Sequence, residues 1–313
     1  MITILITGIG GDIAQSIATI IRNELDKVRL IGVDMDSRHA GSIFVDSFFK
    51  VPSALSSDYL ESLRFLIIEN SVDIVIPTNE QELSVFSPLI NEFGENKCIT
   101  SGIKAIKVGL DKLKTNKFIS SLNIITPWTI KAKVNSDLKF PCIFKAQSSS
   151  GSKNIFNVSS QEEANFLAKK FPNSIFQELL EPADKEVTCA VYRARDGRIA
   201  VLQLLRKLTD GHTSWCKVID NQEVLDMCKI ISSSLDLQGS INIQLRITKS
   251  GPRVFEINPR FSSTVLMRHK LGFCDLIWAL EEAQGLNINY PDIKVGQSMV
   301  RIQNVAKLSN YED

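Results

Sequence analysis

Three short apolar runs constrain the amino-terminal third of this chain more tightly than any other feature: ITILIT at 2–7, VRLIGV at 28–33 and VDIVIP at 72–77. They are rich in β-branched residues and do not alternate cleanly with polar ones, so each suits a strand covered on both faces. Between them lie stretches with helical spacing: Ile13, Ile17, Ile20 and Ile21 in the first, and residues 59–69 in the second. Strands that alternate with helices predict an open, parallel, doubly wound sheet over residues 1–108, with its ligand edge at the carboxyl ends of the strands.

From residue 109 the texture changes. A helix (DKLKTNKFISSL) leads into an extended ITPWTI, then FPCIFKAQSSSGSKNIFNV reads as two short strands around a Ser/Gly turn. Residues 161–171 are helical, SIFQELL is a strand, and KEVTCAVYRARDGRIAVLQLLR is a hairpin turning at Asp196–Gly197. Residues 222–235 are helical, 240–247 and 253–258 form a second hairpin around TKSGP, and a helix follows at 274–285. This half is α+β.

Bulk properties exclude several partners. With 36 basic and 35 acidic side chains there is no electrostatic footprint for nucleic acid or a membrane surface. The six cysteines are scattered without a CxxC pair and read as reduced core residues of a cytoplasmic protein. No signal peptide and no bilayer-length apolar run are expected. The composition leaves room for a homo-oligomer.

The first strand runs into TGIGGDIAQS. The spacing Gly8-x-x-Gly11-x-x-Ala14, with Asp34 ending the second strand, fits the turn of a nicotinamide-dependent short-chain reductase or epimerase. Against that alternative, the one Tyr-x-x-x-Lys match is Tyr290–Lys294, close to the carboxyl terminus and interrupted by Pro291. The glycines then serve only a tight strand-to-helix turn.

The residues that carry chemistry are in SINIQLRITKSGPRVFEINPRFSS, residues 240–263. Asn242, Gln244 and Arg246 share one strand face, and Val254, Glu256 and Asn258 share a face of the next. A symmetric five-residue loop at 248–252 puts Gln244 opposite Glu256 and Asn242 opposite Asn258. Oxygen-bearing side chains then converge on one patch, the chemistry a hard cation such as Mg²⁺ (or Mn²⁺) takes. Arg260 follows, a fork suited to phosphate. Lys145 ends an apolar strand just before the turn Ser149, Ser150, Gly151, Ser152, whose amides suit phosphate oxygens. In FQELLEPADKE, Gln177–Leu180 supply strand-edge backbone for a base and Glu186 a carboxylate for a ribose.

Together these pieces resemble the ATP-grasp superfamily, and most of all the carboxyphosphate half of the carbamoyl phosphate synthase large subunit. The most specific segment is NIQL (242–245) with FEINPR (255–260). The resemblance implies a Rossmann-like pre-ATP-grasp domain (1–108), then an α+β ATP-grasp domain of two subdomains (109–313), with a lid at about 125–185 and an extension at about 286–313. It implies Gln244, Glu256 and Asn258 as metal ligands, and Arg260 facing the transferred phosphate. Lys112 and Lys145 become phosphate-binding lysines, Glu178–Leu180 the adenine hinge and Glu186 the ribose acid. DGHTSW (210–215) resembles the synthase's histidine-bearing loop, which places His212 near the reacting acid. Gly10, Gly11, Thr78, Glu80, Asn242 and Ser262 are candidate substrate contacts.

The chain departs from the synthase in carrying Ser263 where the synthase has an arginine, a serine-rich phosphate loop, and neither a second synthase half nor a glutaminase domain. The expectation is therefore a stand-alone ADP-forming ligase that uses ATP to join a small acid to an amine. A non-catalytic ATP-binding subunit is the remaining alternative.

Overall fold

In the computed structural model, which describes residues 1–148, 155–303 and 305, the chain opens with β1 (Ile2–Thr7), α1 (Asp12–Glu24), β2 (Val28–Asp34), β3 (Ser47–Lys50), α2 (Tyr59–Glu69) and β4 (Ile74–Ile76). These strands form a parallel sheet in the order β3-β2-β1-β4. The fully buried Ile4, Leu5 and Ile6 of β1 explain its unbroken apolar character, since helices cover both faces. One face packs under α2 with α3 (Glu80–Val85) and α4 (Ser87–Phe93); the other packs under α1. The β3 strand lies outside the sequence expectation, because SFFK carries no period that separates it from a loop.

Helices α5 (Ile103–Gly109) and α6 (Lys112–Ser121) lead into a second sheet made of β5 (Thr129–Lys131), β6 (Cys142–Ala146), β7 (Phe156–Val158) and β8 (Ser174–Glu178), in the order β5-β8-β6-β7. Helix α7 (Gln161–Lys170), capped by Ser160, covers its Phe144, Phe156 and Phe176. The start of α6 is tied to this sheet: the Lys112 amide donates to the Gln147 carbonyl (3.0 Å) and Gln147 Nε2 to Asp111 Oδ2 (2.8 Å).

The third sheet is six-stranded and antiparallel. It comprises β9 (Glu186–Arg193), β10 (Ile199–Thr209), β11 (His212–Ile219), β12 (Gly239–Thr248), β13 (Gly251–Asn258) and β14 (Ser298–Val300), in the order β13-β12-β9-β10-β11-β14. Helix α8 (Gln222–Ser234) packs on one face, and α9 (Val265–Lys270) and α10 (Asp275–Ala283) on the other. Helix α9 also meets α1, so one apolar core runs from the first sheet into the third.

Two sequence expectations are corrected here. DGHTSW is not a free loop: Asp210 (φ 50°) and Gly211 (φ 80°) turn β10 into β11, and His212 opens the new strand. The 240–258 hairpin turns on two residues, Lys249–Ser250, rather than five. A bulge after Gln244 adds Phe255 on the opposite strand, and so restores the expected pairs Gln244–Glu256 and Asn242–Asn258.

Candidate active site

The carboxyl edge of the first sheet faces the β10–β13 end of the third sheet across a cavity of about 370 Å³. From the first domain come Gly8, Gly11, Asp12, Asp34, Thr78 and Asn79; from the second come Lys112, Lys145, Arg206, His212, Gln244, Glu256, Asn258, Arg260, Ser262 and Ser263. Ten of the 17 expected site residues that the structure describes are therefore brought together.

Lys145 and Lys112 reach the cavity from different elements. In β6, Cys142 and Phe144 point into the aromatic core, which turns Lys145 to the other face, 6% exposed. Its Nζ lies 5.3 Å from the centre of the Phe255 ring, the residue added by the bulge. Burial pulls the Lys145 ammonium down from 10.5 to about 8, against the attraction of Glu256. Lys112 opens α6 and its Nζ stands 3.2 Å from Glu256 Oε1. Burial works to raise the Glu256 carboxyl, yet Lys112 and Lys145 hold it below its ordinary value. Glu256 is thus kept ionised beside two ammonium groups.

Arginines organise the rest. Arg206 donates to Glu186 Oε1 from Nε (3.0 Å) and Nη2 (2.6 Å), and from Nη2 to Gln244 Oε1 (3.0 Å). Arg246 donates to Glu186 Oε2 (2.6 Å) and to the Leu180 carbonyl (2.7 Å). Glu186 is therefore clamped by two guanidiniums beside the cavity. Glu178, at the end of β8, accepts from the Trp128 amide (3.3 Å), and Leu179 and Leu180 follow it, with Leu180 buried. Ser149, Ser150, Gly151 and Ser152 lie outside the described residues.

Several weaker candidates move as well. Glu80 pairs with Arg260 Nη2 (2.9 Å), linking the two domains rather than lining the cavity. Asn242 is 1% exposed, accepts from Thr188 Oγ1 (2.8 Å) and does not line the cavity. Thr78 lines it, with its hydroxyl donated to the Thr7 carbonyl (2.8 Å). Ser262 lines it, sharing a 2.7 Å bond with Thr264 and receiving Arg268 Nη1 at 3.4 Å. Arg268 in turn is fully buried against Asp275, whose other partner is Ser240.

The glycine turn is already spoken for. The Ile9 amide bonds to the Val33 carbonyl, the Gly10 amide to Asp34 Oδ2 (2.9 Å), and the Gly11 amide to the Gly8 carbonyl (2.9 Å). A Cβ on Gly10 would sit 2.6 Å from the His39 ring, so that ring fills the space beside the turn. Sequence reasoning did not place Arg206, Asn79 or Arg301 at the site. Arg206 carried a weak signal, a cation closing the largely apolar run VLQLL; Arg301, at the far end of the chain, carried none.

Comparison with known proteins agrees with this architecture. Residues 170–308 match the family model described as "ATP-grasp in the biosynthetic pathway with Ter operon". Residues 4–100 match "PylC-like, N-terminal domain". A carbamoyl-phosphate synthase of Methanobrevibacter smithii is 22% identical over 245 residues, which are 70% of this chain; the chain spans 64% of the length of that relative. Among solved structures, N5-carboxyaminoimidazole ribonucleotide synthetase from Thermus thermophilus superposes with a TM-score of 0.76 at 17% identity, covering 95% of this chain and 82% of that one. An L-amino acid ligase from Bacillus licheniformis gives 0.66 at 14% identity, covering 87% and 70%. An ATP-grasp family model over residues 170–308, a PylC-like model over residues 4–100 and a shared fold along nearly the whole length show that this chain has the ATP-grasp fold, with sequence similarity to a carbamoyl-phosphate synthase.

Proposed function

We propose that the protein is an ADP-forming ligase: a substrate carboxylate, or a bicarbonate-like acid, attacks the γ-phosphate of ATP, and the resulting acyl phosphate is transferred to an amine. The observation that carries this reading is Lys145, a buried ammonium facing the same cavity as Lys112, Glu256, Asn258 and Arg260. One carboxylate, Glu256, stands against these two ammonium groups, and the phosphates of ATP are the anion that balances the excess positive charge.

Lys112, Lys145 and Arg260 neutralise the transferring phosphoryl group, each through charge-assisted hydrogen bonds in a water-poor site. Glu80 keeps Arg260 in position. The base lies along Glu178–Leu180, with Arg246 fixing the Leu180 carbonyl. The residues present also fit Mg²⁺ or Mn²⁺, because Glu256 is held ionised and Asn258 adds an amide oxygen on the same strand face. No group of three or more His, Cys, Asp or Glu that could hold a metal occurs among the described residues, so this would be a cation shared between Glu256, Asn258 and substrate phosphates. Gln244 is less available, since its carbonyl oxygen faces Arg206. When bound, the cation supplies positive charge to the phosphates. Thr78, Ser262 and His212 are left for the acid and amine.

An ADP-release screen across acids and amines, in pairs, tests the reading. Pair-dependent ADP formation supports it. Micromolar binding of NAD or NADP with none of MgATP would overturn it.

A further inference from the structure

We propose that Asp12 and His212 form a proton-accepting dyad, assembled across the two domains and poised by Arg301, that takes the proton from the incoming amine. This rests on the ligase reading and adds to it the group that prepares the nucleophile.

Asp12 begins α1 immediately after the glycine turn, and His212 begins β11 immediately after the Asp210–Gly211 turn. Both line the cavity, and His212 Nδ1 is 3.4 Å from Asp12 Oδ2. With Nδ1 turned to the carboxylate, Nε2 is the nitrogen left for a ligand. Asp12 Oδ2 is buried and makes no hydrogen bond among the described residues. A second cation approaches the same oxygen, Arg301 Nη1 at 3.6 Å. Such a loose arrangement is common in sites without substrate, where catalytic hydrogen bonds tighten only on binding.

Arg301 is held in place. It follows β14, its amide donates to the Ser214 carbonyl (2.9 Å), its Nε to the Thr213 carbonyl (3.2 Å), and its Nη2 to the Ser263 carbonyl. It thereby joins the strand that carries His212 to the loop that carries Ser262 and Ser263, and presents its remaining nitrogen to Asp12. Around the imidazole the charged groups are Asp12 from α1, Arg301 from behind β14, and Asp210 in its own turn. Lys112, Lys145 and Glu256 line the same cavity as a charge cluster of their own.

The chemistry needs such a group. An ammonium has no lone pair. His212 Nε2 takes its proton, Asp12 stabilises the imidazolium, and the freed lone pair forms the C–N bond. The bond from the acyl carbon to the phosphate oxygen breaks, inorganic phosphate leaves with that electron pair, and the extra proton on the new amide nitrogen passes to the departing phosphate.

The test compares ammonium, which is protonated at neutral pH, with hydroxylamine, which is largely unprotonated and needs no base. Wild-type protein with MgATP and hydroxylamine, run over a panel of carboxylic acids and bicarbonate, reports the acid as a hydroxamate. His212→Asn and Asp12→Asn should each lower the ratio of ammonium-supported to hydroxylamine-supported turnover by about 10²-fold or more, the usual reach of a general base. Arg301→Met should leave Asp12 wholly to His212 and move the pH midpoint of the ammonium reaction upward. An unchanged ratio in both His212→Asn and Asp12→Asn would overturn the dyad alone. No hydroxamate from any acid would overturn the ligase reading and the dyad with it.

Discussion

Replacing Lys145 by methionine should make the protein more stable and less able to bind ATP. The side chain is 6% exposed, and burial lowers its ammonium from 10.5 to about 8. That drop corresponds to roughly 3 kcal/mol against the charged form in the folded state. The sign follows from the two values. Below about 8 the lysine is charged whether the chain is folded or not, so the full penalty weighs on folding. Between about 8 and 10.5 the folded form sheds its proton first, and the penalty fades. Methionine keeps the stem that packs beside Phe255 and removes the charge, so at pH 7 Lys145→Met should raise the melting temperature by roughly 2–8 °C. The gain should shrink as the pH approaches 10. Calorimetric titration with an MgATP analogue should show the opposite effect, roughly 10- to 100-fold weaker binding, from the loss of one charge-assisted contact worth about 1.5–3 kcal/mol. A lower melting temperature at pH 7 would refute the picture of a desolvated, ligand-awaiting cation.

Glu80→Gln keeps an oxygen near Arg260 but loses the charge that holds it, and ADP release should fall about tenfold while the melting curve barely moves. Asp275→Asn strands the fully buried Arg268 without its counter-ion, and should cost about 3–5 kcal/mol in a urea unfolding experiment.

Much of the site was legible because strand periodicity is a local rule. Alternation alone put Asn242 on the face of Gln244, and Glu256 on the face of Asn258. The register of the metal-site hairpin came out right for a partly wrong reason: the turn is shorter than the symmetric count assumed, and the bulge at Phe255 makes up the difference. The turn before His212 was also written in the sequence, since Asp-Gly is a hairpin signal, but the resemblance to a loop masked it. What local rules cannot supply is pairing between distant charges. Glu186 was legible as an acid near a nucleotide, yet its engagement by Arg206 and Arg246 depends on the order of β10, β9 and β12 in the sheet. Glu80 with Arg260, and Asp12 with His212 and Arg301, depend on how the two domains meet.

The central claim is that one cavity holds MgATP against Glu256, Lys112 and Lys145 and uses it to activate an acid. The most direct measurement is ADP release by the wild type and by Glu256→Gln, with matched melting curves, across paired acids and amines. The wild type should form ADP only with a cognate pair, and Glu256→Gln should form none while melting like a folded protein. Wild-type ADP production by Glu256→Gln, or AMP and pyrophosphate in place of ADP from the wild type, would contradict the account.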